Sequence, residues 1–304
     1  MQRNYDVIVI GGGPAGYTVA LYTARAGLST LVIEKLYAGG QMTQTHQIDN
    51  YPGFPDGIDG FTLGMNLQKG AARFGVENLN AQVQSVELRT AVKTVRTSQG
   101  DYTARAVMIA TGAEHRPLGL PHEAQLIGKG VAYCAACDGM FYKDKTVAVV
   151  GGGNSAVADA LLLSRVAKKV YLIHRRDTLR ATKIYHDGIR QAQNVEFIGN
   201  STVTELLFAD KLSGVKLCST DGSESELSLD GLFISIGRNP ATELFAGQLS
   251  LDEQGYIVAD ESTRTDIDGV YAIGDVRTKQ VRQIVTAAAD GAVAAHYAEH
   301  YLSG

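Results

Sequence analysis

The sequence predicts an α/β protein in which one strand–turn–helix–strand unit occurs twice. Glycine accounts for 34 of the 304 residues, and it clusters at residues 11–13 and again at 151–153. Each cluster follows a short run of apolar, mainly β-branched residues, as in the buried strands of parallel sheets. Each is followed by an alanine-rich segment that favours a helix. Two copies of this pattern predict two similar α/β units.

Composition excludes several other classes of protein. Lys and Arg total 28 against 32 Asp and Glu, and this net charge of −4 argues against a nucleic-acid or acidic-membrane partner. Three cysteines are too few for a disulfide scaffold. The four apolar residues at 7–10 are shorter than the roughly 7–15 of a secretory signal. We therefore expect a cytoplasmic protein that does not enter a membrane.

The first unit begins at the N-terminal strand, predicted at residues 5–10. Its turn fits G-x-G-x-x-G, whose glycines allow a tight turn, close approach of a pyrophosphate and close helix–strand packing. A helix over 15–26 offers free N–H groups to the phosphates, and Gly27 ends it. Residues 29–34 predict the second strand. Glu34, at its end, is the acidic residue that would bond a ribose hydroxyl.

The second unit repeats this frame with a different residue at the ribose position. Strands at 146–150 and 169–173 flank a helix at 155–166, and the turn fits G-x-G-x-x-A. His174 lies 23 residues after Gly151, just as Glu34 lies 23 after Gly11. Basic side chains suit a 2′-phosphate, so this unit predicts NADPH rather than NADH, with a solvated basic face as the alternative. The basic residues are His174, Arg175, Arg176 and Arg180.

Two further apolar segments indicate that the second unit is inserted into the first. Residues 107–112 and 232–237 each read as a strand that ends at a glycine and closes one of the two sheets. The segments after them, 113–117 and 238–244, contain Arg-Pro and Asn-Pro pairs and are predicted to join the domains. We call them the first and second crossovers.

The C-terminal part of the chain returns to the first unit. Residues 269–275 predict a strand ending in Gly-Asp, and 283–297 predict an alanine-rich helix. Asp275 and the start of this helix could meet the ribityl or phosphate groups of a nucleotide. The predicted domains are residues 1–113 with 244–304, and residues 114–243.

Two of the three cysteines form a C-x-x-C pair, Cys134 and Cys137, followed by Asp138. Zinc would need further ligands that the sequence does not place nearby, and a purely structural pair is the other alternative. A reversible redox dithiol fits best in βαβ surroundings. Asp138 could donate and accept the proton that thiolate chemistry needs, or it could cap a helix. Cys218 lies in a strand-like segment and is predicted to be a small buried hydrophobe.

Two nucleotide sites and one dithiol predict an electron-transfer chain. A pyridine nucleotide donates hydride, whereas a disulfide accepts electrons through attack by a thiol, and a flavin connects the two chemistries. This reasoning assigns FAD to the unit of Glu34 and NADPH to the unit of His174. Electrons would then pass from NADPH through FAD to Cys134 and Cys137. No metal site is predicted.

Over nearly the whole chain, these motifs resemble the low-molecular-weight thioredoxin reductases of bacteria. The matching segments are residues 11–16, 39–42, 49–53, 110–113, 134–139, 151–156, 174–181, 274–276 and 282–283. The resemblance implies a homodimer that reduces thioredoxin, built from two Rossmann-like dinucleotide-binding domains with the NADPH domain inserted into the FAD domain. It also implies that Cys137 faces the flavin, that Cys134 attacks thioredoxin, that Asp138 is the acid/base, and that the domains rotate about the crossovers.

The motifs and the resemblance together predict the cofactor contacts. Those expected for FAD are Gly11, Gly13, Pro14, Ala15, Gly16, Glu34, Lys35, Gly40, Gln41, Asn50, Val83, Thr111, Gly112, Gly274, Asp275, Arg282 and Gln283. Those expected for NADPH are Gly151, Gly153, Asn154, Ser155, Ala156, His174, Arg175, Arg176, Arg180, Ile236 and Gly237. In one departure from the family pattern, Ala158 and Asp159 stand where two acidic residues are frequent.

Other functions share these features. A related flavin-dependent disulfide reductase or dithiol oxidase could act on a thioredoxin-like or peroxiredoxin-type partner. The intact second glycine motif and its arginines argue against a ferredoxin-dependent enzyme. A flavin-binding redox sensor is the non-enzymatic alternative, and steady NADPH consumption with a disulfide protein would exclude it.

Overall fold

The computed structural model describes residues 3–45 and 47–304, and the chain divides into two compact units. Unit 1 comprises Met1–Glu114 and Asn239–Gly304, and unit 2 comprises His115–Arg238. The helices are α1 (Pro14–Arg25), α2 (Gly60–Ala72), α3 (Ala135–Asp138), α4 (Asn154–Leu163), α5 (Lys183–Gln191) and α6 (Ile284–Ser303). The strands are β1 (Asn4–Ile10), β2 (Thr30–Glu34), β3 (Glu77–Asn80), β4 (Val83–Glu87), β5 (Lys93–Thr97), β6 (Gly100–Ile109), β7 (Ala113–His115), β8 (Val131–Ala132), β9 (Thr146–Val150), β10 (Lys169–Ile173), β11 (Val195–Ile198), β12 (Ser201–Phe208), β13 (Leu212–Ser219), β14 (Glu224–Ser228), β15 (Gly231–Ile234), β16 (Arg238–Pro240) and β17 (Val270–Ala272).

Unit 1 is built on a sheet with a parallel centre. Strands β3, β2, β1, β6 and β17 lie side by side in parallel, and Val9 of β1 lies between Val32 and Met108 of its two neighbours. The antiparallel strands β5 and β4 continue the sheet from the first half of β6. Helices α1 and α6 bury their apolar faces, including Val19 and Ala294, in one cluster with the central strands. The apolar run of β1 is buried because both faces of the sheet are covered.

Unit 2 contains a second parallel sheet, in the order β11, β10, β9, β15 and β8. Helix α4 packs Ala156, Val157 and Ala160 against this sheet, and all three are fully buried. Strands β12, β13 and β14 form a separate antiparallel sheet. The predicted fold class is therefore confirmed: both units have the α/β order of a dinucleotide-binding fold, and unit 2 is inserted into unit 1.

The ends of several elements differ from the sequence-based expectations. The last helix continues to Ser303 rather than 297, because Ala298 and Leu302 extend its buried face. Residues 239–243, assigned from the sequence to the inserted domain, lie in unit 1. Hydrogen bonds explain the difference: the Ala241 N–H donates to the Gly112 carbonyl, and the Thr111 hydroxyl donates to the Ala241 carbonyl.

Candidate dinucleotide sites and redox centre

The glycine turn of unit 1 has the geometry that a phosphate-binding turn requires. Gly11 has φ +107°, and a Cβ there would overlap the Ala110 carbonyl. A Cβ at Gly16 would overlap the Gly11 carbonyl, so this third glycine allows α1 to pack against the turn. At Gly13, the N-cap of α1, the nearest neighbour of such a Cβ lies 4.0 Å away. Space therefore remains at the helix N terminus, where a phosphate would bind.

A cavity of about 730 Å³ opens in front of this turn, within the usual size range of cofactor pockets. Most of the predicted FAD contacts line it, namely Gly11, Gly13, Pro14, Ala15, Glu34, Lys35, Gly40, Gln41, Val83, Thr111, Gly112, Gly274, Asp275 and Gln283. The sequence analysis missed further lining residues, such as Tyr37, Gln82 and Leu244. Gln82 follows the end of β3, so the rule that ligands bind at the carboxyl ends of parallel strands could have identified it.

Glu34 is fixed in the cavity wall by two backbone groups. Its Oε2 accepts a hydrogen bond from the Gly12 N–H at 2.7 Å, and its Oε1 accepts one from the Leu36 N–H at 3.0 Å. Each carboxylate oxygen keeps lone-pair capacity for a hydroxyl donor. The side chain is therefore held in one orientation in the cavity wall.

The loop at Gly274 and Asp275 is held from behind by a buried ion network. The Asp290 carboxylate accepts hydrogen bonds from the Gly274 N–H at 2.8 Å, from Arg277 at 2.9 Å and from Lys279 at 2.9 Å. Burial opposes ionisation of Asp290, yet hydrogen bonds from the two cations hold its pKa below the usual value. This network fixes one wall of the cavity.

Three predicted FAD contacts do not belong to the cavity lining. Gly16 packs within the turn, and Asn50 donates its side-chain amide to the side-chain oxygen of Gln283 at 3.1 Å. The Arg282 guanidinium lies over the Tyr256 ring and donates to the Asp275 carbonyl at 3.4 Å. Asn50 and Arg282 therefore support lining residues in this structure.

The second glycine turn, in unit 2, repeats the geometry of the first. Gly151 has φ +149°, and a Cβ there would overlap the Ser235 carbonyl. Gly153 has open space, and Ala156 is fully buried behind the turn. The remaining predicted contacts near it are Asn154, which accepts from the Thr182 N–H, the exposed Ser155, the half-buried Ile236 and the exposed Gly237.

Of the four side chains predicted to bind a 2′-phosphate, one is buried and three are exposed. His174 is only 5% exposed, and its ring lies where a Cβ of Gly152 would be. Its Nε2 is buried and has no hydrogen-bond partner among the described residues. Burial, together with the charges of the nearby arginines, lowers the pKa of His174. Arg175, Arg176 and Arg180 are exposed, and the Arg180 N–H donates to the Gly152 carbonyl at 2.7 Å.

Of the two positions where the family pattern has acidic residues, only the second has a carboxyl group here, and Ala158 takes the place of the first. Asp159 accepts a hydrogen bond from the Ser235 hydroxyl at 2.8 Å, and burial raises its pKa. Ala158, beside it, is half-buried. Asp159 thus lies next to the strand end that contacts Gly151.

Cys134 and Cys137 form a disulfide with their Cα atoms 5.3 Å apart. The Cys137 N–H donates a hydrogen bond to the Cys134 sulfur at 3.2 Å. Burial raises the pKa of Asp138 to about 6. Cys218 is half-buried rather than fully buried, and its thiol donates to the Ser219 carbonyl.

Two classes of site are not found in the described part of the chain. Within residues 3–45 and 47–304, no group of three or more His, Cys, Asp or Glu side chains could hold a metal ion. No helix in these ranges is long and apolar enough to cross a membrane. Two dinucleotide-binding units, one of them with a C-x-x-C disulfide, define a nucleotide-dependent disulfide oxidoreductase.

Comparison with known proteins identifies the family. Residues 5–291 match the family described as pyridine nucleotide-disulphide oxidoreductase, and the chain belongs to this family. A thioredoxin reductase of Listeria monocytogenes is 49% identical over 99% of this chain and 95% of its own length. One of Bacillus subtilis is 44% identical over 99% and 96%. The crystal structure of thioredoxin reductase from Streptococcus pyogenes, 44% identical, superposes with a TM-score of 0.93 over 100% of this chain and 99% of that one. The resemblance inferred from the sequence is thus confirmed.

Proposed function

We propose that the chain is a thioredoxin-disulfide reductase that uses NADPH and FAD. The observation that carries the proposal is the Cys134–Cys137 disulfide, which precedes a carboxyl group of raised pKa in a chain with two dinucleotide-binding turns. The curated relatives named thioredoxin reductase support the identity of the protein substrate.

The residues of unit 1 fit FAD. The open space at Gly13, the oriented Glu34 carboxylate and a cavity of about 730 Å³ provide for phosphates, a ribose and a further ring system. When bound, FAD supplies the ability to take two electrons from a pyridine nucleotide and to pass them to a disulfide. The fixed loop at Gly274 and Asp275 would hold its ribityl and phosphate region.

The residues of unit 2 fit NADPH. The orphaned Nε2 of His174 is a buried polar atom that needs a partner, and three exposed arginines lie close enough for their charges to act on this imidazole. A 2′-phosphate would satisfy these groups through charge-assisted hydrogen bonds. The Asp159 carboxyl is tethered by Ser235, whose carbonyl adjoins Gly151.

The dithiol performs the exchange with thioredoxin. The Cys134 thiolate attacks one sulfur of the thioredoxin disulfide and releases the other as a thiolate. Cys137 then attacks the Cys134 sulfur, which releases the second thioredoxin thiolate and restores the Cys134–Cys137 disulfide. Two electrons and two protons pass to thioredoxin, and Asp138, with a pKa of about 6, can carry a proton in this exchange.

An absorbance experiment tests the whole proposal. The purified protein should be yellow, should bleach when NADPH is added without oxygen, and should regain its colour when oxidised thioredoxin follows. In the control, the same additions are made in the same order, but the thioredoxin has been reduced beforehand. The flavin should then stay bleached. Formation of peroxide without thioredoxin reduction would favour a dithiol oxidase instead.

Replacing Arg175 and Arg176 with alanine should weaken the binding of NADPH much more than the binding of NADH. Loss of two charge-assisted hydrogen bonds to a phosphate should raise KM for NADPH about 10- to 100-fold. KM for NADH should change less than about threefold, since NADH has no 2′-phosphate for these side chains to bind. Arg165→Ala, at another exposed arginine of unit 2, is the matched control. An equal loss for both nucleotides would contradict the assignment of this site.

Assembly and location belong to the same proposal. We expect a homodimer, as the resemblance implies, and exposed apolar side chains of unit 1 such as Tyr22, Phe61 and Phe74 support an interface. Light scattering on the purified protein should give twice the mass of one chain. The scarcity of cysteine supports a cytoplasmic location.

A further inference from the structure

The segment that leads to Cys134 is held by a buried carboxylate that neither nucleotide site uses. Glu123 is only 4% exposed. It accepts hydrogen bonds from the Leu118, Gly119 and Leu120 N–H groups at 3.0, 2.8 and 3.2 Å, and from the Tyr133 hydroxyl at 2.5 Å. All four of these donors are neutral. A buried carboxylate with this many donors fixes the groups that surround it.

Tyr133 is held at its ring as well as at its hydroxyl. The ring stacks on His115, with 4.9 Å between centroids and 26° between planes. Burial, with the charge of Arg238, lowers the pKa of His115 to about 4, so the imidazole is neutral at physiological pH. His115 belongs to the first crossover, and Tyr133 is the residue directly before Cys134. The first crossover and the redox pair are therefore joined through one side chain within unit 2.

We propose that Tyr133 is a positioning residue for the redox pair: Glu123 and His115 fix its side chain, and the fixed side chain holds Cys134 where its sulfur meets Cys137. This inference rests on the proposed function, because it concerns the dithiol that function uses. Ordering the backbone before Cys134 raises the effective concentration of one thiol at the other. The intact cluster therefore stabilises the disulfide relative to the dithiol.

The equilibrium with dithiothreitol measures this stabilisation directly. One molecule of reduced dithiothreitol converts the Cys134–Cys137 disulfide to two thiols and becomes its own cyclic disulfide, so two electrons and two protons are transferred. Neither NADPH nor thioredoxin takes part. The extent of reduction follows from mass spectrometry after the thiols are alkylated, and Cys218, a free thiol in the same unit, is the internal reference.

The test compares Tyr133→Phe with Tyr171→Phe, both as purified holoenzymes. Tyr133→Phe keeps the ring that stacks on His115 and removes only the hydroxyl that binds Glu123. We expect its equilibrium to shift about fivefold toward the dithiol, the usual effect of one lost hydrogen bond. Tyr171, a half-buried tyrosine of β10, is the matched control, and its substitution should leave the equilibrium within about twofold of the parent.

His115→Asn provides a second variant, since it removes the stacked ring and keeps the bond between Tyr133 and Glu123. It should shift the equilibrium in the same direction. The proposal would be overturned if both variants had the same equilibrium with dithiothreitol as the parent protein, whether or not their Tm is lower. A purely structural role would change Tm alone. A shift in Tyr171→Phe equal to that in Tyr133→Phe would overturn it as well. Failure of the parent protein to reduce thioredoxin would instead contradict the proposed function, which this equilibrium does not measure.

Discussion

Replacing Cys137 with serine is expected to abolish thioredoxin reduction while NADPH still bleaches the flavin. A serine hydroxyl cannot form a disulfide with Cys134, so the protein loses the group that stores two electrons between the nucleotide and thioredoxin. Turnover with thioredoxin should fall about 10⁴- to 10⁶-fold, the range for single residues removed from a catalytic group that acts as a unit. Rapid-mixing absorbance measures flavin reduction, and a coupled thioredoxin assay measures turnover.

Cys218→Ser is the matched control for this experiment. Cys218 lies in β13 of the same unit and outside the redox pair, so this variant should keep both activities. The roles assigned to the pair would be wrong if Cys137→Ser lost both bleaching and turnover. They would also be wrong if it lost neither.

Asp138→Asn should lower thioredoxin reduction by about 10²- to 10⁴-fold, the range for loss of a general acid or base. Because burial raises the pKa of Asp138 to about 6, the carboxyl group is protonated below that pH and ionised above it. The parent rate should therefore change with an inflection near pH 6. The variant, whose amide does not titrate, should lack this inflection. A pH series of single turnovers with thioredoxin measures both effects.

The same substitution should stabilise the protein at neutral pH. A carboxyl group whose pKa is higher in the folded than in the unfolded state costs folding free energy once pH exceeds its unfolded pKa of about 4. The cost grows up to pH 6 and is then constant, on the order of 2 kcal/mol. Denaturant unfolding at pH 7 should show Asp138→Asn as the more stable protein, with no difference near pH 3. An equal pH profile of the unfolding free energy in parent and variant would contradict the raised pKa of Asp138, and an equal pH profile of the rate would contradict its role as the acid/base.

The sequence predicted the two turns correctly because their constraints are local. Gly11 and Gly151 have positive φ, Gly16 lies where a Cβ would overlap the carbonyl of Gly11, and the flanking strands show as short apolar runs. Such patterns depend on residues a few positions apart. The matching spacing to Glu34 and His174 follows from the same geometry.

Tertiary packing decided the features that the sequence did not show. Nothing in the pattern around His174 indicates that its ring fills the space beside Gly152 while its arginine neighbours are exposed. Asp290 and Glu123 accept hydrogen bonds from nearby loops, whose sequences have no regular periodicity that would indicate these contacts. Residues 239–243 belong to unit 1 because Ala241 forms hydrogen bonds with Thr111 and Gly112, more than a hundred positions earlier.

The split of unit 1 into two chain segments has a consequence for protein synthesis. On the ribosome, all of unit 2 has been translated before β17 and α6 exist, yet β17 pairs with the second half of β6, and α6 packs in the cluster that contains α1. Unit 2 can complete its sheets while the nascent chain still presents an unpaired edge of β6 and an uncovered apolar face of α1. During this interval, which ends when α6 has been translated, the unpaired strand edge and the uncovered apolar face favour misassembly.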